Sequence, residues 1–369
     1  MIPIKNKVLI LISSLGGGGA EAVCINVANG LAKTGWQVDL VILNLSNATY
    51  LERLSSNVNL KVLGVSQARY SAFSLLKELL RIKTSKILVF DFELTIILII
   101  IRLFFNLKVK IISRNINTLS MLRENNQNYF QKNIINPILD FLFGHVDHVI
   151  NQCNAMQTDL ISIYPNLKNK SSVIYNPVAK HIEDYIAKNH LDRISKMDYV
   201  LCVGRLEKQK AFHNAIIAFA EISLDFPNLR LKIIGKGSLE NNLKSLATEC
   251  GISDKVDFEG FHIDLIPYYK FARVTILTSL YEGFPNVLVE SIALNTPVVA
   301  YDCKSGPREI IHDKINGFLV ENNNILDLKI KLKNALMSEF SYIKMQETIK
   351  KNKISEIVKN YSDLLLQLN

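Results

Sequence analysis

The stretch Leu277–Pro297 reads LTSLYEGFPNVLVESIALNTP, and its pattern predicts a strand end, a loop and a helix in that order. The apolar run Val274–Leu277 leads into it and is typical of a buried parallel strand. Pro285 suits the first position of a helix, because proline lacks an N–H that this position would leave unpaired. One face of the predicted helix carries Val287, Leu288, Ser291, Ile292 and Leu294. The stretch therefore indicates one repeating unit of an α/β fold.

Two glutamates occupy distinct places in this unit. Glu282 lies on the loop just before the helix, beside Gly283, and Glu290 lies eight positions later within the helix. A helix start with unpaired N–H groups is an anion site, and a carboxylate there competes with a bound phosphate. A ligand that carries both phosphate and hydroxyl groups explains the combination, because the N–H groups bind phosphate and the carboxylates bind hydroxyls. The alternative is one helix-terminal charge and one surface charge.

Strand and helix patterns alternate on both sides of this unit, which predicts two doubly wound parallel sheets with right-handed crossovers. In the first half, strands are predicted at Lys7–Ser13, Trp36–Leu43, Ile87–Phe90, Val109–Ile112, Val146–Ile150 and Ser172–Tyr175. In the second half, they are predicted at Tyr199–Val203, Leu229–Ile234, Val256–Phe258, Val274–Leu277, Pro297–Tyr301 and Gly317–Val320. The polar stretch Lys180–Lys196 is interpreted as a linker, so the domains are placed at 1–178 and 179–353.

Composition sets the class of protein. The chain has 369 residues, of which 49% are hydrophobic and 21% charged, as expected for two globular domains. Its net charge of +9 is uneven, because residues 1–175 hold 18 basic and 10 acidic side chains, or +8. Such asymmetry points to nucleic acid, a membrane surface or acidic substrates. The five scattered cysteines indicate neither a disulfide framework nor a zinc site, and favour a reducing cytoplasm.

The basic helix Ser71–Arg81 is the expected membrane contact. Leucines and an isoleucine alternate there with four cations, Lys77, Arg81, Lys83 and Lys86, which favours an anionic lipid surface. The alternative is a helix that buries its leucines and leaves its lysines solvated. Leu94–Ile101 is strongly apolar but too short to cross a bilayer, so a buried helix or strand is expected.

Two loops that follow predicted strands carry features suited to phosphate. Arg205 and Lys210, five positions apart after Gly204, can clamp a diphosphate from two sides, although a solvated charged loop is the alternative. The glycines Gly16, Gly17 and Gly18 allow close backbone approach to an anion. This loop also fits a loose dinucleotide fingerprint. Asp39, however, lies inside the next strand and not at its end.

These motifs together resemble family 4 of the retaining nucleotide-sugar glycosyltransferases, which have the two-domain GT-B fold. The matching elements are the E-x7-E pair Glu282 and Glu290, the Arg-x4-Lys pair Arg205 and Lys210, and the S-G-P-x-E-I-I stretch 305–311. The last form is similar to the branch that builds bacterial capsule, lipopolysaccharide O-antigen and lipid-linked glycans. The resemblance is strong over 198–320, moderate over 7–45 and thin over 46–150.

The resemblance implies roles for these residues. Arg205 and Lys210 would neutralise the leaving nucleoside diphosphate, Glu282 would meet the donor sugar, and Glu290 would bind the ribose hydroxyls. Gly204, Gly283, Phe284 and Pro285 would line the donor site, and Gly16–Gly18 would hold the donor diphosphate or the acceptor. A histidine that relatives carry in the first domain is missing from the region 111–115. Arg114 is the acceptor-binding candidate there.

The resemblance also implies the overall activity. We expect a GT-B enzyme whose two Rossmann-like domains face each other across a cleft, with the helix at about 354–369 packing back on the acceptor domain. It would transfer a hexose or N-acetylhexosamine from a nucleotide sugar, with UDP as the expected nucleotide, to a lipid-linked or growing bacterial surface glycan. We expect no cofactor, no metal and no nucleic-acid partner, and a cytoplasmic enzyme peripheral to the inner face of the membrane. The alternatives are a Rossmann-type NAD-dependent oxidoreductase and a non-catalytic scaffold.

Overall fold

The computed structural model describes residues 6–46, 48–116, 118–121, 135–191 and 194–368. The chain forms two compact units. Unit 1 comprises Met1–Ala179 together with Ile354–Asn369, and unit 2 comprises Lys180–Lys353. The boundary between the units lies one residue from the predicted one, and the last helix belongs to unit 1.

Unit 1 is built on a parallel sheet. Its strands are β1 (Lys7–Ile12), β2 (Gln37–Ile42), β3 (Val58–Val62), β4 (Lys86–Val89), β5 (Lys110–Arg114), β6 (His148–Asn151) and β7 (Ser171–Val173). Its helices are α1 (Gly19–Lys33), α2 (Ala72–Ile82), α3 (Phe92–Phe105), α4 (Asn136–Phe143), α5 (Asn154–Ile163) and, from the end of the chain, α14 (Ile354–Gln367). The strand order is β3-β2-β1-β4-β5-β6-β7, so the order reverses between β1 and β4.

Each face of this sheet has its own core, because successive side chains of a strand point to opposite faces. On one face, Val8, Ile10 and Ile12 of β1 pack with α1 and α14. On the other face, Leu9 and Leu11 pack with α2, α3, α4 and α5. Gly30 permits the close packing of α1 on α14, since a Cβ there would lie 2.2 Å from Val358 Cγ2.

Unit 2 repeats the architecture with a parallel sheet of β8 (Tyr199–Val203), β9 (Arg230–Ile234), β10 (Val256–Gly260), β11 (Val274–Leu277), β12 (Val298–Tyr301) and β13 (Gly317–Val320). Its helices are α6 (Lys180–Lys188), α7 (Phe212–Asp225), α8 (Glu240–Glu249), α9 (Ile266–Phe271), α10 (Asn286–Ala293), α11 (Pro307–Ile310), α12 (Ile325–Met337) and α13 (Tyr342–Thr348). The strand order β10-β9-β8-β11-β12-β13 reverses between β8 and β11. The predicted fold class, two doubly wound α/β domains, is confirmed.

Local differences from the sequence expectations have simple causes. Strand β3 was not predicted, because its sequence VNLKV is short and polar at alternate positions and pairs only at the sheet edge. The predicted linker Lys180–Lys196 contains α6, which buries Ile182 despite its polar composition. Lys86 was expected as an exposed cation, but it lies in β4, where burial lowers its pKa. Leu94–Ile101 is helical, as part of α3.

Across the described residues, no helix combines the length and the apolar character needed to cross a membrane.

Candidate active site

The point where the strand order of unit 2 reverses brings two loops together. Strands β8 and β11 are neighbours, with Leu201 paired to Thr275. From β8 the chain continues to β9 on one side of this pair, and from β11 it continues to β12 on the other side. Loops at the carboxyl ends of such strands form the usual ligand crevice of an open α/β sheet. The loop after β8 carries Arg205 and Lys210, and the loop after β11 carries Glu282.

Hydrogen bonds fix these two loops to each other. Thr278 Oγ1 donates to the backbone oxygen of Lys210 at 2.8 Å. The Leu280 amide donates to Gln209 O at 2.9 Å, and the Gln209 side chain donates to Tyr281 O at 2.9 Å. Since three bonds join three residues of one loop to two of the other, the two loops form a single braced surface that carries the charged side chains.

Lys210 and Glu282 form an ion pair at this surface. Lys210 Nζ lies 2.5 Å from Glu282 Oε1, and Glu282 is only 8% exposed. The stem of Lys210 runs over Gly204, where a Cβ would lie 3.2 Å from Lys210 Cε. An ammonium has three donors, so pairing with one carboxylate leaves it capacity for a phosphate oxygen. The structure thus brings together three of the predicted residues, Gly204, Lys210 and Glu282.

Arg205 stays exposed on the same loop. The nearby carboxylate of Glu207 instead accepts from the Ser238 amide at 2.9 Å and from its hydroxyl at 2.8 Å. The backbone hydrogen bond from Ser238 is the main reason that the pKa of Glu207 lies below its usual range. The Glu207 carboxylate is therefore bonded to Ser238, and the Arg205 guanidinium is accessible to an anion.

The predicted helix after Glu282 begins at Asn286, so Pro285 precedes it by one position and does not occupy its first turn. Pro285 still supports the helix start, because its carbonyl accepts from the Leu288 amide at 3.1 Å. Gly283, Phe284 and Pro285 are buried in the loop that connects β11 to α10. Glu290 lies within α10, as predicted, and is half-buried.

A third loop, which follows β12, supports Glu282 from behind. The Ser305 hydroxyl donates to the backbone oxygen of Glu282. Gly306 has φ of +96°, and a Cβ there would lie 2.4 Å from Pro285 Cδ, so only glycine fits. The sequence analysis identified 305–311 as a motif but did not assign this contact to Ser305. A hydrogen bond from a hydroxyl to a carbonyl far away in the sequence cannot be predicted from residue spacing.

Cys303 lies on the same loop and is buried. Burial raises the pKa of its thiol to about 12, so the sulfur is protonated at neutral pH and is a poor nucleophile.

In unit 1, the glycine-rich loop lies at the corresponding reversal, between β1 and β4. Gly18 is the N-cap of α1, and the Tyr50 hydroxyl donates to Gly17 O at 3.2 Å. The dinucleotide interpretation fails at Asp39, which is buried within β2 and paired with Lys7 at 3.5 Å. A carboxylate in that position is not available to a ribose.

Arg114 does not occupy the accessible position that an acceptor contact requires. It is 2% exposed, and its Nε donates to the Tyr361 hydroxyl at 3.0 Å. Its Nη2 donates to Asn176 Oδ1, and the guanidinium lies 5.0 Å from the centre of the Phe90 ring. Among the described residues its Nη1 has no hydrogen-bond partner. In this structure Arg114 ties α14 to the sheet of unit 1.

Two doubly wound α/β units are the architecture expected of the GT-B fold. The model for glycosyl transferases group 1 matches residues 186–356, and that for glycosyltransferase family 4 matches residues 17–180. The chain belongs to the family 4 glycosyltransferases and is an enzyme of that class.

Several known proteins resemble the whole chain. An N-acetylgalactosamine-N,N'-diacetylbacillosaminyl-diphospho-undecaprenol 4-alpha-N-acetylgalactosaminyltransferase of Campylobacter jejuni is 30% identical, over 86% of this chain and 87% of its own. An uncharacterized glycosyltransferase of Haemophilus influenzae is 28% identical, over 92% and 93% of the two chains. The solved structure of Anabaena HepE in complex with UDP has a TM-score of 0.77, at 19% identity, over 98% of this chain and 100% of its own.

Proposed function

We propose that this enzyme is a retaining glycosyltransferase that moves a hexose or N-acetylhexosamine from a UDP-sugar to a lipid-linked acceptor during bacterial surface glycan synthesis. The observation that carries the proposal is the Lys210–Glu282 pair beside the exposed Arg205 at the strand reversal of unit 2. Two similar proteins support it: the Campylobacter relative, whose name specifies a diphospho-undecaprenol acceptor, and HepE, whose structure was solved in complex with UDP.

The cations act on the leaving group. When the bond between the anomeric carbon and the diphosphate breaks, negative charge grows on the departing oxygen. Arg205 and Lys210 stabilise that charge, and Lys210 is already held by Glu282 before the reaction. The acceptor hydroxyl attacks from the same face of the sugar, its oxygen bonds to the anomeric carbon, and its proton passes to the leaving phosphate oxygen. This course keeps the anomeric configuration and needs no protein nucleophile.

The carboxylates orient the donor. Glu282 holds Lys210 at 2.5 Å, and a carboxylate can accept several hydrogen bonds, so the same side chain can position the cation and accept from a sugar hydroxyl. Glu290 is placed to accept from the ribose hydroxyls. Gly283, Phe284 and Pro285 lead to the start of α10, whose first N–H groups suit phosphate or sugar oxygens. Positioning of this kind lowers the barrier by converting a bimolecular reaction into an effectively unimolecular one.

The direct test is to incubate the purified chain with a panel of nucleotide sugars and to follow nucleotide release, first alone and then with a lipid diphosphate-sugar acceptor. We expect one UDP-sugar to be turned over much faster than the rest, undiminished activity in EDTA, and an α-anomeric product by NMR from an α-linked donor. An inverted product, or activity that requires added Mn²⁺, would contradict the proposal.

The acceptor chemistry also sets the place of the reaction. A lipid-linked acceptor keeps its reactive sugar close to the headgroups, so the enzyme would be cytoplasmic and peripheral to the inner face of the membrane. The +8 charge of residues 1–175 favours attraction of unit 1 to an anionic leaflet.

A further inference from the structure

Unit 1 exposes large apolar side chains on one side of its sheet. Helices α2, α3 and α4 share the core on that side, and the rings of Phe92 in α3 and Phe143 in α4 are 5.0 Å apart. The outward surface of these three helices carries exposed apolar side chains, and we call it the α2–α4 face: Phe73, Leu80, Phe104, Phe105, Ile138 and Phe141. Phe104 is 83% exposed. Exposed aromatic side chains in this density mark an interaction surface.

The opposite side of the same sheet is the internal comparison. Helices α1 and α14 cover it, and among their described residues the one large apolar side chain counted as exposed is Leu366. Both helix layers bury a comparable core, so the exposed apolar groups are not a general property of the unit. The α2–α4 face therefore differs from the α1–α14 side in the apolar side chains that it presents to solvent.

Cations flank the α2–α4 face. Lys77, Arg81 and Lys83 are exposed on α2 and its exit, and Lys108 and Lys110 are exposed after α3. Of the acids on these helices, Glu78 is ion-paired with Arg81, Asp140 accepts from the Tyr164 hydroxyl at 2.7 Å, and Glu93 is exposed at the start of α3. Aromatic and aliphatic side chains bordered by lysine and arginine complement a partner with an apolar interior and an anionic surface, as a lipid bilayer has.

We propose that the α2–α4 face docks unit 1 onto an anionic lipid bilayer. Phe104 and Phe105, at the end of α3, enter the headgroup region, and the flanking lysines and arginines lie against lipid phosphates. The chain turns back directly after Phe105, because Asn106 adopts φ of +47°, so the two rings stand at the tip of α3. This inference deepens the proposed function, on which it rests for a substrate held in a membrane.

Vesicle binding by the full chain tests the docking surface. We compare wild type, Phe104→Ser with Phe105→Ser, and Leu224→Ser, a control residue of unit 2 that is 81% exposed. On vesicles of phosphatidylglycerol and phosphatidylcholine, the double variant should lose about tenfold in affinity per ring removed, and the control should match wild type. Part of the wild-type binding should survive high salt, since the apolar part is not screened. Equal affinity of all three proteins would overturn the proposal.

Tryptophan fluorescence locates the contact independently. The chain has a single tryptophan, Trp36, which is buried on the α1–α14 side and bonded to Ser362. In a Trp36→Phe background, Phe104→Trp should shift to the blue on anionic vesicles and be quenched by brominated acyl chains, whereas Leu224→Trp should not. If Phe104→Trp responds only to an acidic protein partner and never to lipid, the surface serves protein binding and the proposal is wrong.

A third measurement separates this inference from the proposed function. Slow nucleotide release from the donor needs no membrane and should be the same in wild type and in the Phe104/Phe105 double variant. Vesicle binding without any sugar transfer would refute the proposed function and leave the docking surface standing. Wild-type sugar transfer to a membrane acceptor, together with unchanged vesicle binding in the double variant, would refute the docking surface alone.

Discussion

Units 1 and 2 are built in the same way and use their cations differently. In unit 2, Lys210 and Arg205 project from a loop at the strand reversal, where Lys210 shares its charge with Glu282. In unit 1, Arg114 ends strand β5 and is buried, with Tyr361 and Asn176 as its partners. A doubly wound sheet therefore does not by itself decide whether a cation near a strand end serves a ligand or the fold. The length and bracing of the loop decide it.

The physical origin of the difference is strand alternation. Arg114 is still part of β5 and lies two residues after Ile112, so both side chains point to the sheet face that α14 covers. Lys210 lies seven residues beyond Val203, the end of β8, at the close of a short 3₁₀ turn, and is free of that alternation. Instead, the Gln209 side chain and the Lys210 backbone oxygen are hydrogen-bonded to the β11 loop.

The largest expected effect is a loss of turnover when Arg205 or Lys210 of unit 2 is removed. Arg205→Ala should lower turnover by roughly two to three orders of magnitude with no change in thermal stability, because an exposed loop arginine supports little of the core. Lys210→Ala should lower turnover similarly and also destabilise the unit, since Glu282 would keep a poorly solvated charge. Steady-state kinetics and thermal unfolding of both variants measure this.

Lys208→Ala is the matched control, since Lys208 is an exposed cation of the same loop. It should retain wild-type turnover. If Arg205→Ala, Lys210→Ala and Lys208→Ala are equally active, the loop is merely solvated and the contrast between the units disappears.

Arg114 should show the reverse behaviour. Arg114→Leu leaves the Tyr361 hydroxyl and Asn176 Oδ1 without their donor, so it should reduce the free energy of unfolding by about 3 kcal/mol. Turnover of the folded fraction should stay within about threefold of wild type. Urea unfolding checks the first expectation, and Lys110→Leu, at the exposed start of the same strand, should be nearly neutral. A stable Arg114→Leu variant with lost acceptor transfer would restore the acceptor role.

How far the sequence predicts this molecule depends on the range of the interactions. Apart from β3, the strands of both sheets follow from local periodicity, and Glu282, Gly204 and Lys210 meet because strand ends of a parallel sheet converge. The helix α6 escaped prediction because its stability comes from Ile182 packing in a polar sequence. The burial of Arg114 depends on Tyr361, 247 positions away, and no local pattern reports a contact of that range. Ser305 belongs to the same group.

Half-buried Lys196 of unit 2 sharpens the comparison with Arg114, because a lysine can lose its proton and an arginine cannot. Lys196 Nζ donates to Lys270 O at 2.8 Å and to Thr296 Oγ1 at 2.6 Å. Burial lowers the pKa of Lys196 from its ordinary 10.5 to about 7. The unfolded chain therefore holds more protons between those values, and stability contributed at this position rises with pH.

We expect wild type to gain about 2 kcal/mol of unfolding free energy between pH 7 and pH 9 relative to Lys196→Met, which has no charge to titrate. Urea unfolding of both proteins at several pH values isolates the effect, since all other groups are shared. Parallel pH profiles would mean that Lys196 keeps its proton in the fold, as Arg114 does.

The smallest expected effect concerns Glu290, which separates ligand binding from charge stabilisation within unit 2. A carboxylate that accepts from the ribose hydroxyls binds ground state and transition state alike. Glu290→Gln should therefore raise the KM for the donor about tenfold and leave kcat nearly unchanged, unlike the Arg205 and Lys210 variants. Glu249→Gln, at an exposed helical position of the same unit, is the control and should leave both constants unchanged.

A cycle of enzyme and substrate changes decides whether Glu290 touches the ribose. Wild type should lose affinity when the donor is replaced by its 2′-deoxyribose form, and Glu290→Gln should lose little more, because the contact is already gone. The two changes are then coupled and not additive. Fully additive losses would show that Glu290 acts elsewhere, and would leave Lys210, Arg205 and Glu282 as the whole ionic site. In that case, the functional difference between the two units would lie only in the hydrogen-bonded loops after β8 and β11.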